Sequence, residues 1–448
     1  MGTTSIVLGG GLLPMRPRTI ASVRDIARAH RVALVGTAIA IGTLAWLHPA
    51  GPGNSSPTDL AMVPAIGAVA LWIYLSAERI RTPYGISMGL IVVAGCVSGI
   101  LGPYLRGALV TVGYPEAPLI AVIQDIYLFV WCLAIVNLAR TADALRVLLA
   151  AWVYASAFWA ALLVIGVFIG VRALSGIEDN NGVRADGQFG DPNMASGFFA
   201  MSLFVLWSSA VPRRWWLRAA IAAVLLAAMV LTGSNGGVLS LAVGTAFVIL
   251  AATRRRFGLM VTIAAVCLAL VIGAGAAKVI HPVDIQVWAR DSGVPVLRDW
   301  IGRSDASASQ RLTIVKEAWV LFQKAGPFGA GPGATQPILT DSLAPFPHQA
   351  HDDYVAAVVE RGVEGGIALI VLIWAIAWRA GTAARGQLKA DFAAVVPRRD
   401  ALIGALLGLA VAAAYYQVLH FRHAWALLAL IAAVQIWGRD WATKRAAS

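Results

Sequence analysis

The sequence predicts an all-α polytopic membrane protein with about twelve transmembrane helices and one long outward loop that contains short amphipathic helices. Hydrophobic side chains make up 59% of the 448 residues and charged side chains only 13%, which leaves too little polar surface for a soluble globule of this size. The apolar residues fall into about twelve runs, each near the roughly 20 residues that cross a bilayer as a helix. Composition and run length therefore agree on the fold class.

The positions of Lys and Arg assign the loops between these runs to the two sides of the membrane. With the N-terminus inside, every basic cluster falls on the cytoplasmic side, which predicts an even number of spans and two cytoplasmic termini. The formal charge of +12 then comes mostly from the Lys and Arg residues of cytoplasmic loops, and it requires no nucleic-acid partner. The clusters lie at 79–81, 140–146, 213–218, 254–256, 379–399 and 439–445.

The first apolar run, Val32 to His48, follows basic residues as a signal peptide would, but no convincing small-x-small cleavage site comes after it. We expect it to be a retained first span, preceded by a basic leader that lies on the anionic inner leaflet. The predicted divisions are a cytoplasmic leader at 1–31, nine spans within 32–276, a periplasmic loop at 277–361, three spans within 362–437 and a cytoplasmic tail at 438–448.

The long outward loop is predicted to hold a helix and a glycine-rich bend. Residues 311–324 place apolar side chains at helical spacing, which predicts an amphipathic helix on the outer membrane-water interface. The bend at 326–333 can expose backbone N–H groups to a phosphate, although such bends are usually only turns. The apolar positions of the helix are Leu312, Val315, Ala318 or Trp319, and Phe322.

Two shorter outward segments precede this loop. Asp191-Pro192 reads as a helix cap followed by proline in the first turn of the next span. Residues 232–236 are either a tight turn between two spans or a break within one long element. Neither segment by itself indicates a function.

A cluster of histidines and carboxylates, FPHQAHDD, runs directly into an apolar helix after Phe346. Asp352 or Asp353 is the expected N-cap, so His351 would sit at the positive end of the helix, where the neutral imidazole is favoured. A neutral histidine can accept a proton. The alternative is a helix-start histidine that only hydrogen-bonds its neighbours.

The three cysteines, Cys96, Cys132 and Cys267, all lie inside apolar runs. They form neither a disulfide framework nor a metal-ligand set, and we expect small buried side chains. The outward His and carboxylate residues also lack convincing ligand spacing. The sequence therefore predicts no metal and no cofactor.

Taken in order, four outward stretches resemble the O-antigen ligase and polymerase family of bacterial membrane glycosyltransferases (Wzy/WaaL type). The stretch from Arg184 to Asn193 resembles the family's R-x-x-G-x-F-x-x-P-N segment, and 231–237 resembles its T-x-S-R-G turn. Arg311-Leu312 and the bend at 327–333 resemble the family's R-L helix and P-L-x-G-x-G-P-G. Residues 350–355 and 360–362 resemble A-H-N-x-Y-L and E-x-G.

The resemblance covers about residues 180 to 370, and two positions depart from it. Asp352 stands where the family usually has Asn, which should change local hydrogen bonding more than the role of His351. Asn235 stands where the family usually has Arg, so another arginine would have to supply that charge, and the sequence does not say which.

The resemblance implies a transferase on the outer face of the bacterial inner membrane. It would pass a glycan from an undecaprenyl-pyrophosphate carrier to a glycan or glycolipid acceptor among membrane lipids. Arginines suit the pyrophosphate without a metal, and a neutral histidine suits the acceptor hydroxyl. The predicted base is His351, with His348 as the rival histidine; Arg311, Arg303 and Arg184 are the predicted donor-binding residues; Asp352, Tyr354, Asn193 and Glu360 are the supporting residues.

Other interpretations remain open at this point. Each arginine can instead be a solvated loop charge or an anchor for lipid phosphate. A transporter or lipid-linked glycan flippase would also have about twelve spans, but ionisable residues near the midplane would be expected, and only Asp125 lies clearly within an apolar run. A purely structural role would not need the outward His and Arg residues. The sequence does not separate ligase from polymerase, nor does it identify the sugar, the acceptor or the oligomeric state.

Overall fold

The computed structural model describes residues 22–51, 55–105, 116–177, 184–279, 282–293, 298, 306–342, 344 and 352–440. Over these ranges the protein is helical and has no strand, apart from an isolated bridge between Leu388 and Arg439. The predicted all-α class is therefore confirmed.

Sixteen α-helices are formed by the described residues, in two groups separated by the turn before Asn235. The first group is α1 (Val23–Gly42), α2 (Pro57–Ser76), α3 (Gly85–Leu105), α4 (Glu116–Leu138), α5 (Ala142–Phe168), α6 (Arg172–Ser175), α7 (Pro192–Ser208) and α8 (Trp215–Leu231). The second group is α9 (Asn235–Val279), α10 (Pro282–Asp291), α11 (Ala306–Ala325), α12 (Thr335–Asp341), α13 (Asp353–Arg385), α14 (Ala390–Val395), α15 (Asp400–Ala413) and α16 (Arg422–Trp437), with a 3₁₀ turn at Val418–His420.

Five of these helices are long and apolar enough to cross a membrane by length and composition, and four shorter apolar helices accompany them. The five segments are Pro57–Ser76, Pro118–Leu138, Ala142–Phe168, Asn235–Val271 and Asp353–Arg385. The chain is thus a helical membrane protein by these criteria. The total of about twelve spans and the predicted segment limits stay predictions.

Helix α9 contains a break that bears on the number of membrane spans. A straight helix of its 45 residues would be about 67 Å long, roughly twice the hydrocarbon thickness. The backbone is non-helical at Gly258, with φ 84°, directly after the basic triplet 254–256. The break therefore separates two segments that are each of bilayer-spanning length, at the position where the sequence predicted a loop.

Helix α16 lies at the centre of the molecule. Every side chain from Arg422 to Gln435 is buried, and α4 and α13 pack against it. Its alternation of alanine with leucine allows helices to approach closely, which drives association where lipid removes the usual hydrophobic gain. This central helix therefore fixes the positions of α4 and α13 relative to each other.

Helices α9 and α15 pack closely against each other through glycines. A Cβ on Gly404 would lie 2.9 Å from the carbonyl oxygen of Gly244, and one on Gly408 would lie 2.8 Å from that of Ser240. Real Cβ atoms do not approach so closely. Larger residues at these positions would force apart the two helices that form one side of the site.

Two sequence predictions differ in detail from the structure. Helix α1 begins at Val23, inside the predicted leader, and ends at Gly42, before the predicted limit of the first span. The loop helix exists as α11, but its buried face is Ile314, Ala318 and Leu321, whereas Leu312 remains 57% exposed. Ala318 and Phe322 of the predicted apolar face pack on α13 and the bend, and the position of this helix at the membrane-water interface stays a prediction.

Candidate active site

The start of α13 is the centre of the candidate site. The side chain of Asp352 caps this helix, because its Oδ1 accepts hydrogen bonds from the N–H groups of Tyr354 (2.7 Å) and Val355 (3.1 Å). Burial raises the pKa of the Asp352 carboxyl, and the two backbone hydrogen bonds oppose this effect. Of the two caps that the sequence allowed, the structure selects Asp352.

The next two residues fix this helix start to the C-terminal part of the chain. The buried carboxylate of Asp353 accepts from the N–H groups of Val418 (2.8 Å) and Leu419 (3.1 Å). The hydroxyl of Tyr354 donates to the carbonyl of Ala410 at 2.9 Å. Three hydrogen bonds over distances of 56 to 66 residues therefore hold the segment that directly follows His351.

Glu360 fastens the glycine-rich bend to α13. Its carboxylate accepts from the N–H of Gly333 (3.0 Å) and from the hydroxyl of Thr335 (2.9 Å). Its backbone carbonyl accepts from Gly331 N–H at 2.9 Å and from the hydroxyl of Ser98 at 2.5 Å. Glu360 is thus a structural clamp on the bend.

The bend itself does not resemble a phosphate cradle. The N–H groups of Gly329, Ala330, Gly331, Gly333 and Ala334 all donate to protein oxygens. On the other side, Gly362 breaks α13 with φ 71°, and a Cβ there would overlap the carbonyl of Pro327. The glycines of this segment therefore serve close packing between the bend and α13.

Arg361 follows Glu360 and forms an ion pair with Asp125, the acid that lies within an apolar run. Its Nη2 lies 2.7 Å from Oδ2 of Asp125 on α4, and both side chains are about one-tenth exposed. Asp125, Arg361 and His420 of the 3₁₀ turn line one small cavity. Burial lowers the pKa of the His420 imidazole, while the nearby Asp125 raises it.

A second cluster joins the first two resembling stretches. Arg184 Nε donates to the carbonyl of Thr232 at 2.9 Å, and its Nη2 donates to Oδ1 of Asn193 at 3.2 Å. The same Asn193 oxygen accepts from the hydroxyl of Ser234 at 2.9 Å. Arg184 therefore braces the turn at 232–234 against the start of α7, and that turn separates α8 from α9.

The segment between α15 and α16 connects the two clusters. The hydroxyl groups of Tyr415 and Ser240 are 2.8 Å apart, and Tyr416 hydrogen-bonds the side chain of Asp191. Burial and the Asp191 carboxylate raise the pKa of Tyr416. Residues 410–419 thus contact both the α13 start and the α7 start, although no sequence motif marked them.

Asp191 itself confirms a sequence prediction. Its Oδ1 accepts from the N–H groups of Asn193 (2.7 Å) and Met194 (3.0 Å), and Pro192 is the first residue of α7. The cap orients Asn193 toward Arg184 and Ser234. A helix cap formed by adjacent residues therefore positions Asn193, which contacts residues distant in sequence.

A groove of about 1090 Å³ leads away from the α13 start. Apolar side chains of α9, α13 and α15 line most of it, including Phe247, Ile376 and Leu406. One end reaches Asp353 and Tyr354, and the other reaches Arg254, Arg255, Arg385 and Asp400, of which Arg255 and Asp400 form an ion pair. The groove therefore joins the candidate site to the arginine-rich end of the helices.

The structure describes some predicted site residues and not others. Asp352 and Tyr354 lie together at the α13 start, Glu360 lies further along α13, and Arg184 and Asn193 are in direct contact in the second cluster. His351, His348 and Arg303 lie outside the described residues. Arg311 lies on α11, but its side chain is outside the described part. The roles assigned to these four residues stay predictions.

Several contacts near the site were missed by sequence reasoning. Asp59 and Arg422 form a bidentate pair, with Nε–Oδ1 at 2.8 Å and Nη2–Oδ2 at 2.5 Å. Arg361 was named only as a neighbour in a motif, and Asp353 only as one of two possible helix caps. The available signal was Asp125, because a lone acid inside an apolar run requires a basic partner.

Residues 220–370 match the family model for the O-antigen ligase domain, Wzy_C. Over this segment, about a third of the chain, the protein is similar to O-antigen ligases. It runs from α8 to α13 and contains the turn at 232–236, α11, the bend and the α13 start. Arg184 and Asn193 lie outside the matched O-antigen ligase residues but contact them through Thr232 and Ser234. No curated protein matches the chain.

Proposed function

We propose that this protein transfers a glycan from an undecaprenyl-pyrophosphate-linked donor to a glycan or glycolipid acceptor in surface polysaccharide assembly. The observation that carries the proposal is the fixed α13 start, which lies within the segment similar to O-antigen ligases and at the end of the long groove. Catalysis would take place on the outward face of the bacterial inner membrane. The role of the matched domain in polysaccharide assembly supports the coarser part of this proposal.

The size and apolar lining of the groove support the proposal that the donor carries a lipid. Sites for drug-sized ligands enclose about 300–1,000 Å³, and this groove exceeds that range while remaining mostly apolar. A polyprenyl tail is long and apolar, so it can lie along α9, α13 and α15 while its pyrophosphate remains near Tyr354. The same groove would be too apolar for the glycan, which would extend outward.

The chemistry is a displacement at the anomeric carbon of the donor. The acceptor oxygen forms the new glycosidic bond, the bond from the anomeric carbon to the pyrophosphate oxygen breaks, and His351 takes the hydroxyl proton. The pyrophosphate keeps the bonding electron pair, and Arg311 with Arg303 stabilises its charge through bidentate hydrogen bonds. Arg184 would act near the second cluster, since it already braces Asn193 and Thr232.

We propose that transfer needs no metal, because arginines can neutralise the leaving group. Among the residues that the structure describes, no group of three His, Cys, Asp or Glu could hold an ion. The test is a purified assay with lipid-linked donor in EDTA. Sustained turnover supports the proposal, whereas full loss that one divalent ion restores would contradict it.

Deletion of the gene tests the function and separates ligase from polymerase. Long glycans that remain on the carrier would indicate a ligase, and products with a single repeat would indicate a polymerase. An unchanged surface polysaccharide would contradict both. A flippase would instead cause the carrier-linked glycan to accumulate on the cytoplasmic side, where an external glycosidase cannot reach it in spheroplasts.

A further inference from the structure

A second, polar cavity lies at the opposite end of α13 from Asp353. It has a volume of about 440 Å³ and is bordered by residues 80–83, Arg379, Gln435 and Ile436. Seventeen residues separate Arg379 from the break at Gly362, which corresponds to about 25 Å of helix. The cavity is thus separated from the candidate active site by most of a bilayer.

Its two arginines are held in place by the protein. Arg379 Nε donates to the carbonyl of Pro83 and Nη1 to the side-chain oxygen of buried Gln435, both at 2.7 Å. The backbone of Arg81 exchanges two hydrogen bonds with Asn137, at 2.8 and 2.9 Å. The guanidinium of Arg379 and the backbone that carries Arg81 are therefore fixed before any ligand arrives.

Among the described residues, aromatic rings rather than acids lie beside these two arginines. The guanidinium of Arg81 lies 5.8 Å from the ring centre of Trp437, and that of Arg379 lies 5.4 Å from the ring of Tyr84. In the part of the chain that the structure describes, neither pairs with a carboxylate. The neighbouring Glu78 is already paired with Arg140 at 2.6 Å. The cavity therefore favours an anion.

Exposed aromatic side chains indicate the depth of the cavity in the membrane. Trp378, which contacts Arg379, is 50% exposed, and it stacks on Trp374, which is 67% exposed. Exposed tryptophans on apolar helices mark the level of lipid headgroups. The cavity consequently opens where phospholipid phosphates are concentrated, rather than into bulk water.

We propose that this cavity binds a phosphate group between Arg81 and Arg379, and that the phosphate belongs to the headgroup of an anionic phospholipid. Basic pockets between membrane helices bind such headgroups, and the arginine fork suits two phosphate oxygens. The acyl chains would then lie on the exposed face that carries Ile80 and Trp378. This site is independent of the proposed transfer reaction.

The test uses the purified full chain and native mass spectrometry with phosphatidylglycerol or phosphatidylcholine. The wild type should retain phosphatidylglycerol preferentially, and Arg81→Gln should weaken that binding by about tenfold or more, because a charge-assisted contact is lost. Arg81→Gln keeps both backbone contacts with Asn137, so the fold should persist. The control is Arg213→Gln, which removes an exposed arginine outside the cavity and should bind as the wild type does.

A second variant and a second probe separate the remaining outcomes. Arg379→Lys keeps the charge but loses the fork, and it should also weaken phosphatidylglycerol binding. If the wild type shows no preference for phosphatidylglycerol, and inorganic phosphate protects it but not Arg81→Gln from thermal unfolding, the phosphate site would stand and the lipid source would be overturned. Equal phosphatidylglycerol binding by the wild type and both cavity variants would overturn the proposal.

Discussion

Arg361 and Asp125 form a buried ion pair of 2.7 Å across 236 residues of sequence. The pair ties α13, directly after Glu360, to α4. A single ionisable residue in a membrane helix often marks an ion pathway, but here the acid has a fixed basic partner. The pair therefore gives Asp125 a structural role, so this residue by itself does not favour a transporter.

Breaking this pair should destabilise the protein strongly. Asp125→Ala leaves the buried guanidinium of Arg361 without its carboxylate, which typically costs about 3–5 kcal/mol. Thermal unfolding in detergent should show a large decrease in Tm. The exposed pair Arg146–Asp143 is the matched control, and Arg146→Ala should change stability by less than about 1 kcal/mol. Equal effects of the two variants would contradict the structural role.

Asp353 should fix the active-site helix through hydrogen bonding rather than charge. Asp353→Asn keeps a carbonyl oxygen for the N–H groups of Val418 and Leu419, so folding and transfer should persist. Asp353→Ala leaves the buried N–H of Val418 and the part-buried N–H of Leu419 without their acceptor, at about 1–3 kcal/mol for the buried one. Turnover and Tm should both fall in the Ala variant, while the exposed control Asp341→Ala should match the wild type. Full activity of Asp353→Ala would show that this anchor is unnecessary.

His351 should be the base for the acceptor hydroxyl. In an assay with purified protein and lipid-linked donor, His351→Ala should lower turnover by about 10²- to 10⁴-fold, since it removes general-base catalysis. His348→Ala is the matched control and should be much milder. Loss of activity in His348→Ala with near-normal turnover in His351→Ala would show that the wrong histidine was chosen, and normal turnover in both would remove the mechanism.

Filling the groove should impair transfer from donors with long prenyl chains and spare donors with short ones. Ala377 is exposed within the groove wall, so Ala377→Trp places a large ring in the path of a polyprenyl tail without entering the core. The KM for an undecaprenyl donor should rise, whereas a donor with a short prenyl chain should be processed normally. Ile370→Trp on the same helix lies outside the groove and is the control. An equal loss with both donor lengths would argue against tail binding there.

The loop at 277–361 should face outward. A cysteine at Ser342, which is exposed, should react with an impermeant thiol reagent on intact spheroplasts of a background without the native cysteines. A cysteine at Thr382, near the arginine-rich end of α13, should react only after the membrane is opened. The reverse labelling pattern would invert the predicted topology and the face assigned to the active site.

Local features near the site were predictable because their geometry depends on adjacent residues. The caps at Asp191 and Asp352 each bond N–H groups two and three residues later, a spacing that the sequence displays directly. The turn at 232–234 was left open by the sequence, since the same glycines suit a turn or a break. The structure settles the choice, because α8 ends at Leu231 and α9 begins at Asn235.

The sequence by itself determined the helical membrane class, the helix start at Pro192 and the order of the motifs along the chain. These follow from composition, hydrophobic run length and short-range hydrogen bonding. Only the tertiary structure decided that Asp125 pairs with Arg361, that Asp353 holds residues 418–419, and that α11 buries Ile314 instead of Leu312. Partners distant in sequence are chosen by which helices pack together and in what register, and periodicity does not encode that choice.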